Sequence, residues 1–243
     1  MLAIKNLVAT AILAIATPIM AAPVFLPFED APLDTTLVGE FYKNLGIVFS
    51  DHAFTVRSYD DPRVNQGGNF RRYSDPSSKA ALGMYALGGG TTGFFINIAA
   101  GFSGKFTMLY TADRTADDSG FAELFSGVNG TGNVINTGAR PDPAHPGFTL
   151  PGAALTRQAP CINPAGVRQS GILCTWAEVS LAFTGVAQSV HISGISGAYF
   201  YDNLTFGPLA DVPPTTDVPE PGGVALSLAA LGALAWARKR TQR

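Results

Sequence analysis

The chain has 243 residues, and between Ala22 and Asp217 it carries 11 Lys and Arg against 17 Asp and Glu, so the surplus of positive charge sits at its two ends. A net-acidic body without a basic stripe argues against a nucleic-acid partner. With the ends set aside, about 190 residues remain, enough for one domain with a sizeable core.

The first residues, MLAIKNLVATAILAIATPIMAAP, place Lys5 before an apolar stretch from Leu7 to Met20 and small residues at Ala21 and Ala22. That is the layout of a secretory signal, too short for an ordinary membrane span, with cleavage expected after Ala21. Residues 1–21 are therefore read as a signal helix and 22–209 as the folded body.

The body is rich in Gly, Phe, Thr, Ser and Val, and its stretches seldom carry a helical period. Short strands joined by many turns follow, hence an all-β class. After Phe41–Phe49 comes a polar, turn-rich segment, 50–78, containing SYDDPRVNQGGNFRRYSDPSS. Strands are expected over Thr92–Ala99, Gly104–Ala112 and Phe121–Phe125, then a Gly-Asn turn over Gly127–Val134. An irregular region fills 137–160. In WAEVSLAFTG, Val179, Leu181 and Phe183 alternate with Glu178, Ser180 and Ala182, a period of two. SVHISG alternates in the same way and turns His191 toward solvent, and GAYFYDNLTFG supplies the last strand. Polar outer faces on antiparallel strands suit a β-sandwich.

The chain closes on the linker 210–217 and then VPEPGGVALSLAALGALAWARKR. Pro219 and Pro221 hold Glu220 in an extended stretch. Gly222–Ala237 is 16 residues without a charge, followed by Arg238, Lys239 and Arg240. As a helix it measures about 24 Å, slightly short of a bilayer core, with the basic cluster on the cytoplasmic side. Pro219-Glu220-Pro221, an apolar run and Arg238-Lys239-Arg240 together resemble the PEP-CTERM sorting signal of polysaccharide-producing Gram-negative bacteria. The resemblance implies a transmembrane helix over the tail 218–243, export, transient anchoring in the inner membrane, cleavage by an exosortase-like enzyme, and delivery to the cell surface or outside.

The pattern Y-x-x-L-G-I-x-F-S from Tyr42, NGTG from Asn129, and W-x-x-V-x-L-x-F-x-G leading to YDNLTFG resembles exported PEP-CTERM proteins with lectin-like or carbohydrate-binding jelly-roll bodies. The expected fold is thus an antiparallel, jelly-roll-like β-sandwich flanked by an N-terminal signal helix and a C-terminal transmembrane helix. Such modules hold a structural calcium between a Glu near the first strand and an Asp in the last. By resemblance the ligands here are Glu29 and Asp202, with Asp30 and Asn203 as extras, and oxygen donors suit calcium. Alternation with Phe200, Leu204 and Phe206 puts the Asp202 carboxylate beneath an apolar face, where it must be hydrogen-bonded, protonated or metal-bound. The competing reading makes it a capping or bulge residue.

Cys161 and Cys174, the only cysteines, reach an oxidising compartment on export, and a disulfide between them closes CINPAGVRQSGILC; two buried free thiols are the alternative. In the polar segment, Tyr59, Asp61, Arg63, Asn69, Arg71 and Tyr73, with Asp60 and Arg72, combine ring faces and planar hydrogen-bonding groups, which a sugar-binding surface needs, while a solvated structural loop of a β protein has the same composition and is the competing reading. No H-E-x-x-H, G-x-S-x-G or G-x-x-x-x-G-K occurs. The sequence therefore reads as a non-catalytic exported protein of the cell surface or matrix that contacts polysaccharide. A purely structural or protein-binding matrix component is the alternative, and a carbohydrate-active enzyme, needing two carboxylates in one cleft, is a further one.

Overall fold

The computed structural model describes residues 22–31, 36–62, 70–73, 75, 78–84, 91–112, 120–136, 138–141, 149–169 and 173–209. In chain order the strands are β1 (Pro23–Leu26), β2 (Ile47–Phe49), β3 (Ala53–Arg57), β4 (Ala80–Met84), β5 (Thr91–Ala112), β6 (Gly120–Phe125), β7 (Ala139–Pro141), β8 (Thr149–Pro151), β9 (Ala153–Leu155), β10 (Ala177–Ile195) and β11 (Tyr199–Pro208). All pairings between these strands are antiparallel.

Two long strands organise the fold. β5 and β10 pair with each other from Thr91–Ile195 at one end to Tyr110–Ala177 at the other. The first half of β5 takes β2 on its free side, and its second half takes β11. The second half of β10 takes β6, which in turn takes β9. β11 is flanked by β1 and β4, and β4 by β3. The hydrogen-bonded sheet is therefore continuous, but its two halves face one another. Phe94 on the first half of β5 meets Tyr201 on β11 edge-on at 5.9 Å. The Tyr199 hydroxyl crosses the core as well, donating to the Leu155 carbonyl at 3.2 Å and accepting from the Gly120 amide at 3.1 Å.

The corner between the halves lies where β5 carries Gly101 and Gly104, at φ 79° and 82°. Side chains with a Cβ seldom adopt that conformation. The register to β10 shifts beside this corner, between Ala182 and Val186 and between Ala187 and Ser189. Bulged corners let one strand serve both layers of a sandwich. For that reason the segments expected as separate strands, 92–99 with 104–112 and WAEVSLAFTG with SVHISG, are each one bent strand. Two regions expected as loops also contain strands: Ala53–Arg57 within 50–78, and β7, β8 and β9 within 137–160.

The main core between the layers joins Phe28, Phe49, Phe94, Ile96, Phe102, Phe106, Leu181, Tyr199, Tyr201 and Phe206. A second, smaller core of Val56, Phe70, Ala81 and Phe200, with Leu173 and Trp176 packed against it, lies on the other face of β11 and β4.

Helical structure among the described residues is limited to two short 3₁₀ turns, Lys43–Leu45 and Val128–Gly130. No helix among these residues is long and apolar enough to cross a membrane. Among the described residues the all-β antiparallel sheet thus stands without the flanking signal and transmembrane helices that were expected, and neither they nor the membrane-anchored stage of the expected localisation find support here. The apolar residues that are described alternate and pair laterally with neighbouring strands, so sheet formation satisfies their backbone. The segments to which the helices were assigned, 1–21 and 218–243 with Pro219, Glu220, Pro221, Arg238, Lys239 and Arg240, lie outside the described residues.

Candidate functional site

The second core carries on its surface most of the residues singled out in the polar segment. Phe70 bridges to Ser58 on one side and to Leu173 on the other, so the segment lies between the end of β3 and the stretch leading into β10. Backbone bonds fix it: the Tyr59 amide donates to Phe70 at 3.0 Å and the Arg71 amide to Leu173 at 2.7 Å. Trp176 donates its indole N–H to the Arg71 carbonyl at 3.1 Å and meets Phe70 edge-on at 5.5 Å. Cys161 and Cys174 are joined by a disulfide with Cα atoms 5.2 Å apart, which ties down the chain just before Trp176.

On this base Arg71 lies over the Tyr59 ring, 5.5 Å from its centroid, and 4.0 Å from the Asp60 carboxylate. Arg71 Nε is buried there without a hydrogen-bond partner, as is the Tyr73 hydroxyl two residues along. Arg72, the next residue along, turns inward. Its guanidinium stacks over Trp176 at 5.5 Å and pairs with Asp202 at 2.7 Å. Two aromatic rings, Tyr59 and Trp176, and the partly exposed Arg71 guanidinium thus meet at one corner.

The structure distributes the expected residues unevenly. Tyr59 and Arg71 belong to the corner, Tyr73 follows two residues after Arg71, and Arg63 and Asn69 lie outside the described residues. The structure places the Asp61 side chain in the interior, fully buried and 3.7 Å from the equally buried Arg57. Arg57 also donates to the Ala31 carbonyl at 2.8 Å, closing the end of the core. Trp176 and Phe70 were not grouped with the corner from sequence. The only available signal was a Trp two residues beyond Cys174, inside an otherwise irregular stretch.

Glu29 and Asp202 flank one short segment without sharing a ligand set. Glu29 accepts the Lys79 amide at 2.9 and 3.0 Å and the Ala80 amide at 3.5 Å. Asp202 accepts from Arg72 at 2.7 Å, the Ser78 hydroxyl at 2.9 Å and the Asn203 amide at 2.7 Å. The positive charge beside Asp202 is a guanidinium. Asp30, an expected extra ligand, accepts the Tyr42 hydroxyl at 2.8 Å. Burial and the nearby Asp30 together push the Tyr42 phenol well above its ordinary range. Among the described residues no group of three or more His, Cys, Asp or Glu is placed to hold a metal.

Burial raises the Asp202 carboxyl from 3.8 to about 6, against the opposing pull of Arg72, Ser78 and the Asn203 amide. The path of the chain explains how it comes to be there. Register with β5 shifts between Asp202 and Thr205, and Asn203 takes φ 52°, a left-handed conformation that Asn tolerates. This bulge breaks the expected alternation. Phe200 packs in the second core, on the side of Arg72, while Leu204 and Phe206 rejoin Tyr201 in the main core.

A further polar cluster lies on the outer face of β5, β10 and β6. His191, expected to face solvent, is instead stacked on Phe95 at 4.5 Å, lies edge-on to Phe121 at 5.3 Å, and sits 3.7 Å from Glu123. Arg140 covers Phe121 at 3.7 Å and pairs with Glu123 at 3.3 Å. The turn at Val128–Gly130 closes the other end of this face through the Gly130 amide on Ser189, at 3.1 Å. The cluster is a small outer core.

No known protein family matches the chain, and no curated protein matches it. Similar solved structures include three cleaved adhesin domains of Lys-gingipain. The K1 domain, from Porphyromonas gingivalis W83, is 14% identical with a TM-score of 0.41, covering 78% of this chain and 99% of its own. The K2 domain is 10% identical with a TM-score of 0.39 over 76% of this chain and 99% of its own. The K3 domain, also from Porphyromonas gingivalis W83, is 13% identical with a TM-score of 0.37 over 76% of this chain and 98% of its own.

Proposed function

We propose that this chain is a non-catalytic exported protein whose β-sandwich contacts polysaccharide at the corner formed by Tyr59, Arg71 and Trp176. The observation that carries the reading is the Arg71 guanidinium laid over the Tyr59 ring, with the Trp176 indole fixed to the Arg71 carbonyl beside it. A guanidinium carries five N–H donors in a fixed fork, and the exposed part of Arg71 can donate to acceptors of a bound group. Sugar hydroxyls and ring oxygens are such acceptors, and the apolar face of a pyranose stacks on an aromatic ring. Export is supported by the N-terminal residues and by the Cys161–Cys174 disulfide, which persists in an oxidising compartment. The tail with Pro219-Glu220-Pro221 belongs to the same reading as a sorting signal for an exosortase-like enzyme.

The test is a glycan array probed with the purified full chain, with the host's exopolysaccharide included. Saturable binding that free sugar competes away, and that Trp176→Ala or Arg71→Ala weakens about tenfold or more, is the expected result. No binding on any glycan, or binding indifferent to both substitutions, overturns the assignment and leaves the structural or protein-binding alternative.

A further inference from the structure

Among the described residues, β10 is unguarded on one side along part of its length. Its second half is paired on both sides, with β5 and with β6. Its first half, Ala177–Ala182, pairs with Tyr110–Lys105 of β5. Among the described residues the other side of that half meets one isolated bridge, from Asn136 to Phe183. A row of backbone donors and acceptors is thus left at the rim of the sandwich, where another strand can add to the sheet.

The side chains along this rim mark it as an interface and not only a sheet boundary. Glu178, Ser180, Ala182 and Thr184 point outward and are exposed. The inward residues are incompletely covered: Val179, Leu181 and Phe183 keep 8%, 3% and 7% of their surface, while Phe94, Ile96 and Phe106 on β5 keep none. The apolar layer runs out to the edge. Natural edge strands are usually protected by Lys, Pro or an inserted bulge. Within Ala177–Ala182 there is no Lys and no Pro, and the shift in register begins only after Ala182.

We propose that Ala177–Ala182 is a strand-addition edge occupied by the same edge of a second copy, running antiparallel about a two-fold axis. The edge is self-complementary in that arrangement. Centred on Ser180, the pairing sets Glu178 opposite Ala182 and Val179 opposite Leu181. The single charge of the edge then faces a methyl group and not its own copy, so no like charges are opposed across the ladder. Val179 and Leu181 of the two copies continue one apolar layer through the interface. Small side chains at Ser180 and Ala182 leave the outer face clear, and the bridge at Phe183 ends the ladder. Isologous pairing of one patch with itself is the commonest route to a dimer.

Light scattering after size exclusion, over a range of concentrations of the full chain, gives the first readout, with a rise to twice the one-chain mass expected. In the double variant Ser180→Glu/Ala182→Glu the substitutions fall on exposed side chains, set carboxylates opposite one another at positions 180 and 178/182 of the two copies, and return the mass to one chain. Hydrogen exchange on the unmodified chain gives an independent readout: the 177–182 amides slow as concentration rises, and amides in the centre of β5 do not change. A one-chain mass at every concentration overturns the proposal. So does association that survives both substitutions, or exchange at 177–182 that ignores concentration. An edge that takes a strand from a different protein gives the first of these results.

Discussion

Arg72 and Asp202 stand 130 residues apart in the chain and 2.7 Å apart in the fold, both side chains almost fully buried. Their pair pins the polar segment to the outer face of β11. Removing one partner leaves the other charge buried and uncompensated, which costs about 3–5 kcal/mol. Arg72→Met is therefore expected to lose stability of that order at pH 7, measured by urea unfolding. Part of the loss returns at pH 5, where Asp202 takes up a proton. The apolar double variant Arg72→Met/Asp202→Leu recovers most of it, because neither charge remains.

The native protein should also respond to pH through this carboxyl. Its folded value, about 6, lies above the ordinary 3.8, so between these values the folded state holds a proton that the unfolded chain has lost. Stability therefore rises as pH falls from 7 through 6 and levels off near 4, with a contribution of up to about 3 kcal/mol. Unfolding free energies at pH 4.5 and 7 check this, with Asp202→Asn as the reference. A native slope no steeper than that of the variant contradicts the assignment.

Reduction of Cys161–Cys174 releases a loop of sequence separation 13 and loosens the anchor before Trp176. A loop of this size is worth about 3 kcal/mol. Replacing both cysteines with Ser is expected to lower stability by that order and to shift the emission of Trp176, read in a Trp236→Phe background. An unchanged spectrum would separate the disulfide from the corner.

Gly207 of β11 lies close against the backbone of β5. A Cβ there would collide with the Ser103 carbonyl oxygen and stand 3.1 Å from that of Lys105, both rigid backbone. Gly207→Ala is expected to cost about 1–3 kcal/mol by thermal or urea unfolding. Equal stability would mean that the strands separate there without strain.

Melting with calcium and with chelator tests the Glu29–Asp202 site directly. Because Asp202 is already met by Arg72 and Glu29 by two backbone amides, equal Tm values are expected. A higher Tm with calcium that Asp202→Ala abolishes would establish a cation site there.

The period-two alternation in Val179, Leu181 and Phe183 was readable because a strand between core and solvent must sort its side chains by face, whatever its partners. The all-β class followed from such local patterns and from turn residues. β3 was not readable, because AFTVR carries its arginine inward to the Ala31 carbonyl, an arrangement that only the surrounding chain makes tolerable. The joining of paired segments into the bent strands β5 and β10 was equally hidden, since a glycine reads as a turn when its lateral partners are unknown.

The sequence by itself determined that Asp202 needed a partner, that two cysteines stood at a spacing suited to a disulfide, and that the polar segment held rings beside guanidinium groups. These are properties of composition and local spacing. Only the tertiary structure decided that Arg72 is the partner, that Asp61 points inward to Arg57, and that Trp176 completes the corner with Tyr59 and Arg71. The bulge at Asn203 moves Asp202 off the face of Leu204 and Phe206, and its register is set by pairing with β5. Pairing between distant strands is a cooperative outcome of the whole sheet, and no single stretch of the chain encodes it.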